Sequence, residues 1–299
     1  MKLADQLALF KPLRVATKAG MIQYRSSACA GASRLPVTHV LLHGIGSGSG
    51  SWVQQFTQAQ NTFPAAHLAA WDAPGYSSSD ALSADAPTAR DYALQMWAWL
   101  DAVRAADGFG GDVPQPITLV GHSLGCLMVA SATRLAPERV KQLILLAPAQ
   151  GYARASEAVR TQKLNDRLDT LARLGVEQMA QTRSAAMLSP AATAEQIGFV
   201  QSIMAQINPL GYAQAARMLA QGDLLTDLSG VGCPIIVASG SADTVTPPSA
   251  CIAAAAHVGA RYRSLKGAGH ACAIDAADAV NELLGLHLIR ETLIREAKA

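Results

Sequence analysis

Long apolar runs are absent from this 299-residue chain. Nowhere do about eighteen apolar residues follow one another, so no helix is expected to span a bilayer. An excess of either charge is missing too: 24 Lys and Arg stand against 22 Asp and Glu, a net +2. That near-balance argues against a protein held to nucleic acid or a membrane surface by charge. Cysteine is sparse and unpatterned. The five thiols, at 29, 126, 233, 251 and 272, are odd in number and lack C-x-x-C spacing. Neither a disulfide framework nor a zinc site is therefore expected, and a reducing cytoplasm is the default location. The opening MKLADQLALFKPLRVATKAG has no apolar core ahead of a cleavage site, so no signal peptide is expected.

What the chain does have is apolar substance: half of its residues are hydrophobic. That composition and this length suit one large α/β domain, or one domain carrying an insertion, with an ample core. Residues 1–10 read as a short amphipathic helix, and 13–25 as two strands meeting at Ala19-Gly20. A short apolar strand at 38–42 runs into the loop HGIGSGSGSW (43–52), followed by helix over 53–59. The glycines at 44, 46, 48 and 50 miss the G-x-G-x-x-G spacing, and no Walker lysine follows, so a nucleotide cradle is not supported. A loop presenting a backbone N–H to a developing oxyanion fits better. A plain surface loop is the bland alternative.

A strand over 67–71 then leads to DAPGYS (72–77), where Asp72 is expected to tie the turn backbone rather than to react. Thr88 reads as the cap of a helix over 88–106, with Tyr92, Met96, Trp99, Leu100 and Val103 on one face. After a Gly/Pro-rich connector comes PITLVGHSLG (116–125): an apolar strand, then Gly121-His122-Ser123-Leu124-Gly125, then a helical pattern. Strand, G-x-S-x-G and helix in that order describe a nucleophile elbow. Its turn is so sharp that only glycine clears the neighbouring backbone at the two flanking positions. A glycine-rich turn with an incidental serine is the competing explanation, and a base and an acid elsewhere must decide.

Past a further strand at 140–146 the alternation stops. Residues 151–228 offer only helical stretches (154–174, 176–187, 192–207, 211–221), which reads as a lid inserted over the strand ends. The domain division expected is therefore 1–150 for the first part of the core, 151–228 for a helical cap, and 229–299 for the second part. Met179, Met187, Leu188, Phe199, Met204 and Met218 of the cap are candidates for the pocket wall, although helical spacing alone predicts burial. The sheet resumes at 234–239 and 261–265, each strand running into a loop: GSADTVTP (240–247) and KGAGHA (266–271). A helix is expected over 247–258, and a C-terminal one over 275–297.

Ser123, Asp243 and His270 thus each follow a strand's carboxyl end, and in a parallel sheet those ends share one edge. Their order, Ser then Asp then His, is the one a nucleophile, orienting acid and general base take around such an elbow. A serine hydroxyl needs an imidazole to take its proton, and the imidazole needs a carboxylate to hold its tautomer. The backbone N–H groups of Ile45 and Leu124 are the expected oxyanion donors. His43, Gly44, Gly121, His122 and Gly125 are expected to support the loops, and His39, His67, His257 and His287 to be structural or surface residues. Asp275, the second-choice acid, suits a helix cap instead. No metal is expected.

With these residues in hand a family resemblance can be stated. HGIGSGSGSW, WDAPGYSSSD, VGHSLG, GSADTVTP and GAGHA together resemble the α/β-hydrolase superfamily, over roughly residues 13–297. The stretch 207–248 looks like the cap-to-acid region of 3-oxoadipate enol-lactonases. The resemblance implies an α/β-hydrolase fold, a mostly parallel sheet flanked by helices with an all-helical cap. It further implies hydrolysis of a carboxylic ester or lactone without a cofactor, on a small-molecule partner, with neither nucleic acid nor membrane; a homodimer remains compatible. Two departures stand out: Cys126 replaces the second glycine of many relatives, and the Gly-Ser loop after His43 is unusually long. Both are expected to reshape the pocket. A C–C bond hydrolase of ring-cleavage products would use the same residues, but such relatives carry a tryptophan after the histidine, where this chain has Ala271-Cys272. An aspartate-dependent dehalogenase is excluded by Ser123. An acyl thioesterase and a non-catalytic ligand receptor on the same fold stay open. Arg183 or Arg217 could meet a substrate carboxylate, although solvent-facing arginines are the plainer reading.

Overall fold

The computed structural model describes residues 1–28, 35–62, 66–109 and 115–286. Cys29, His287 and residues 110–114 of the Gly/Pro-rich connector lie outside these residues. Eight strands form one sheet: β1 (Leu13–Thr17), β2 (Gly20–Ser26), β3 (His39–Leu42), β4 (Leu68–Trp71), β5 (Ile117–His122), β6 (Val140–Leu146), β7 (Ile235–Gly240) and β8 (Arg261–Leu265). Their spatial order is β1-β2-β4-β3-β5-β6-β7-β8. β2 pairs antiparallel with both β1 and β4, and every other pairing is parallel. β3, β4 and β5 bury consecutive residues rather than alternate ones, as strands covered on both faces must.

The helices are α1 (Leu3–Leu9), α2 (Val53–Thr62), α3 (Ala89–Ala106), α4 (Gly125–Leu135), α5 (Glu157–Arg183), α6 (Ala194–Met204), α7 (Pro209–Gln221), α8 (Leu224–Leu228), α9 (Pro248–His257), α10 (Cys272–Asp275) and α11 (Ala277–Leu283). α3 starts where the sequence placed its cap. Thr88 accepts from the Asp91 N–H, and Asp91 returns a bond to the Thr88 N–H, closing a capping box. Its buried face carries Tyr92, Met96, Trp99 and Leu100 against the sheet, where Trp99 packs on Tyr24 and Trp71 with ring centroids 5.7 and 5.8 Å away. Aromatic pairs at such tilted separations add to simple area burial. α4 packs on α3 and β5, while α2 packs on α1 and α11.

Between β6 and β7 the described chain is helical throughout, α5 to α8. Gly175 breaks the helical run as expected: at φ 69° and ψ 172° it is non-helical and separates two helical segments within α5. α8 was not foreseen. Asp223 caps it, accepting from the Thr226 N–H at 3.1 Å. The C-terminal helix needs correction. In place of one helix from 275, the chain makes α10 and α11, and residues 287–299 lie outside the described set. Gly285 ends α11 at φ 72°, with Leu286 N–H bonded to Asn281 O and Gly285 N–H to Glu282 O. That is the Schellman pattern, which a glycine after a leucine pair announces. No described helix is long and apolar enough to cross a membrane.

Candidate active site

The elbow forms because nothing larger than glycine fits beside Ser123. A Cβ on Gly125 would lie 2.3 Å from Leu42 O, and one on Gly121 would lie 2.7 Å from the Cys126 backbone. Ser123 itself is held at φ 51°, a strained conformation for a residue with a side chain, and is buried. Its N–H donates to Leu146 O at 2.9 Å, so the neighbouring strand β6 supports the strain. The Cys126 thiol turns under the elbow toward Gly121 O, 3.1 Å away. It does not line the cavity, so this departure from relatives leaves the pocket wall unchanged, contrary to expectation.

Asp243 and His270, 27 residues apart, meet across the ends of β7 and β8 because those strands pair in parallel register. His270 Nδ1 lies 2.9 Å from Asp243 Oδ2. The Asp243 carboxylate accepts further: Oδ1 from the N–H groups of Val245 and Thr246 (2.8 and 3.0 Å), and Oδ2 from Thr246 Oγ1 (2.9 Å). Burial alone would raise this carboxyl's pKa. The hydrogen bond and charge of His270, with the Thr246 bonds, outweigh burial and bring it below the ordinary value. Thr246 is a member of this network that sequence reasoning missed; its position three residues past Asp243 is the local signal.

His43 and His122 each bond to backbone of the loops around Ser123. His43 donates from Nδ1 to Gly44 O (2.8 Å) and accepts the Ala73 N–H at Nε2 (3.0 Å), and its ring packs edge-on against Tyr76. His122 Nε2 reaches the His270 carbonyl at 2.8 Å. Asp72 corrects the sequence reading in part: it ties the Gly-Ser loop, not its own turn. Its carboxylate accepts from the Ser49 N–H (2.7 Å), Ser49 Oγ (3.1 Å) and Gln23 Nε2 (2.7 Å). Asp275 is no helix cap. It sits at the end of α10, where Oδ2 accepts the N–H groups of Ser189 (2.6 Å) and Gly269 (2.7 Å), and Oδ1 accepts from Ser189 Oγ (3.2 Å). One carboxylate thereby fastens the helical segment to the loop that carries His270. Gly269 lies so close that a Cβ would meet Leu188 C at 2.4 Å.

Ser123 and His270 stand at the junction of a two-armed cavity. The narrow arm, about 50 Å³, is apolar and lined by Trp52, Val200, Ile203, Ala273 and Ile274. The wide arm, about 240 Å³, reaches past Tyr152, Arg167, Arg183, Tyr212 and Thr246. Ile45, Gly46, Met187 and Met204 face both arms. Of the methionines singled out in the sequence, Met179, Met187 and Met204 line this space, whereas Met218, with Leu188 and Phe199, belongs to the core. Arg217 does not reach it and bonds instead to Asp85 O. Neither Ile45 nor Leu124 spends its backbone N–H on an acceptor among the described residues. Nor, among those residues, do three or more His, Cys, Asp or Glu come together in a way that could hold a metal ion.

Burial has a measurable consequence here. It pushes His122 down to about 3, with His270 beside it adding to the effect, and takes His39 down to about 4. The unfolded chain protonates these imidazoles near pH 6.5, while the folded one keeps them neutral to far lower pH. Protons are therefore bound more strongly by the unfolded state between about 6.5 and 3–4, and stability falls as pH drops through that window. By pH 5 the loss is on the order of 2 kcal/mol per histidine. Thermal unfolding followed from pH 7 to pH 5 is expected to show a drop of roughly 10 °C in Tm. A flat Tm over that range would contradict it.

Residues 40–283 match the model of the alpha/beta hydrolase family, and the chain belongs to that family. Among curated relatives, the (E)-2-((N-methylformamido)methylene)succinate hydrolase of Acinetobacter baylyi is 27% identical over 210 residues, covering 68% of this chain and 72% of the relative. The pimeloyl-[acyl-carrier protein] methyl ester esterase of Photobacterium profundum is 29% identical over 215 residues, covering 70% and 77%. Among solved structures, the enol-lactonase of Burkholderia xenovorans superposes with a TM-score of 0.76 at 18% identity over 92% of this chain and 99% of that one. At that identity the likeness is one of fold.

Proposed function

We propose that the chain is a serine hydrolase that cleaves a carboxylic ester or lactone through an acyl-enzyme. The observation that carries this reading is the His270–Asp243 hydrogen bond at 2.9 Å beside a strained Ser123, all at one cavity. With Nδ1 engaged by Asp243, Nε2 is the nitrogen left to take the Ser123 proton. Ser123 Oγ then attacks the ester carbonyl, and the N–H groups of Ile45 and Leu124 receive the negative charge on its oxygen. As the C–O bond breaks, His270 returns the proton to the leaving oxygen. Water, deprotonated by the same nitrogen, adds to the acyl carbon and releases the acid and Ser123.

The helices α5 to α8 act as a cap that shields this chemistry from bulk water. The relative named as a methyl ester esterase fits the same reaction class, and the one named as a hydrolase of a succinate derivative shares hydrolysis with it. The unpaired thiols of Cys126, Cys233, Cys251 and Cys272 agree with a cytoplasmic location. A stopped-flow trace with p-nitrophenyl butyrate is expected to show a burst of about one p-nitrophenol per chain before steady turnover, because an activated ester acylates faster than the acyl-enzyme is hydrolysed. Release without covalent capture, seen as no acyl adduct in the intact mass after quenching, would sink the mechanism.

A further inference from the structure

The two arms of the cavity differ in chemistry as well as size. No aspartate or glutamate lines the wide arm, yet two guanidiniums do, from Arg167 and Arg183 of α5. Neither has an acidic partner among the described residues, unlike Arg134, Arg139 and Arg154, which pair with Asp227, Asp101 and Asp223. Arg167 is half-buried and held in place. Its guanidinium lies 5.5 Å from the Tyr152 ring centroid, with Nη2 donating to Tyr152 Oη (3.2 Å) and Nη1 to Lys163 O (2.7 Å). Those two bonds use two of five N–H donors, so the fork keeps donors free to engage an oxyanion. Tyr152 is itself fixed, its N–H bonded to Leu219 O. Arg183 stands at the solvent side of the same arm, and the charges of both arginines act on the Tyr212 hydroxyl. Two guanidiniums without acidic partners make the potential of this arm positive, which favours the entry of an anion.

We propose that the wide arm is a carboxylate subsite, in which Arg167 and Arg183 hold a free acid group of the substrate, so that the substrate class is a mono-ester of a dicarboxylic acid. This rests on the ester-hydrolase reading for the bond that breaks, and adds to it which part of the substrate goes where. The acid-bearing chain lies in the wide arm with its carboxylate on the arginine fork, a geometry that suits bidentate recognition. The narrow apolar arm takes the small alcohol portion; at about 50 Å³ it accommodates only a short alkyl group.

The test has a binding arm and a kinetic arm. Calorimetry with adipate at low salt is expected to detect binding to the native chain. In Arg167→Gln/Arg183→Gln that binding weakens about 30-fold or more, while Arg217→Gln, outside the cavity, binds within about twofold of native. Inorganic phosphate in the same titration is expected to bind more weakly than adipate. In the kinetic arm, the ratio of kcat/KM for monomethyl over dimethyl adipate falls about 30-fold in the double variant, mostly through KM. Should the double variant fail to fold, the single Arg183→Gln, at an exposed position, gives a smaller shift in the same direction. Adipate binding that is absent, or indifferent to these arginines, or weaker than phosphate binding, overturns the proposal. Arginine-dependent adipate binding without hydrolysis of either ester keeps the subsite and removes the hydrolase reading; hydrolysis with an unchanged ratio does the reverse.

Discussion

Ser123→Ala is expected to lower kcat for p-nitrophenyl butyrate by at least about 10⁴-fold while leaving the fold in place, because removal of an attacking hydroxyl leaves only binding and oxyanion stabilisation. The variant keeps Cβ, the atom that packs near Gly44, and alanine tolerates the φ of 51° about as badly as serine, so the elbow's strain is unchanged. Neither Cys126 nor Ser51 can replace the hydroxyl. The Cys126 thiol points at Gly121 O and Leu146 O, and burial holds its pKa well above the usual thiol value. Ser51 Oγ, though near the cavity wall, donates to Gly48 O at 2.8 Å. Steady-state kinetics with a circular-dichroism melt decides the matter: a folded Ser123→Ala chain retaining more than about one per cent of native kcat would remove Ser123 from the chemistry.

Asp243→Asn is expected to cost roughly 10³- to 10⁴-fold in kcat, through the histidine rather than through the fold. The direction follows from the contacts. Oδ1 faces two backbone N–H groups, those of Val245 and Thr246, and Oδ2 faces His270 Nδ1. An asparagine can satisfy the two N–H groups only by placing its oxygen there, which turns its NH₂ toward His270. Nδ1 must then accept rather than donate, and the ring proton moves to Nε2. That nitrogen can no longer take the Ser123 proton. The measurement is kcat alongside Tm. A loss of less than tenfold with an intact fold would mean that the carboxylate does not set the imidazole's tautomer.

The elements that could be read from residues alone were those whose cause is local. The capping box at Thr88 and Asp91 lies within one helical turn, and the strands at 117–122 and 140–146 announce their burial by unbroken apolar runs. The turn at Ser123 is equally local, since its geometry follows from what Gly121 and Gly125 permit. Errors came where two local signals competed. At 275–276 an alanine-rich helical pattern concealed a break, Ala276 standing at φ −135° between α10 and α11. Gly285, at φ 72°, is the local stop signal that ends α11.

Of the candidate site, the strand-end positions of Ser123, Asp243 and His270 were determined by the sequence, because each sits in a loop directly after an apolar run. That Asp243 and His270 touch was decided by the parallel register of β7 and β8, a pairing between segments some two dozen residues apart. The same holds for the arginines. α5 carries charge along most of its length, and nothing in that pattern distinguishes Arg167 and Arg183 from the rest; Arg217 looked as eligible as Arg183. Only the packing of α5 against α6 and α7 turns two of these side chains into the cavity and leaves Arg217 at Asp85. Asp275 gives the same lesson, since its partners Ser189 and Gly269 are far apart in sequence and meet only in the folded chain. Backbone conformation is governed by neighbours a few bonds away and is written in the order of residues. The partner of a long polar side chain is set by which surfaces the folded chain brings together, and that is settled only when the whole core packs.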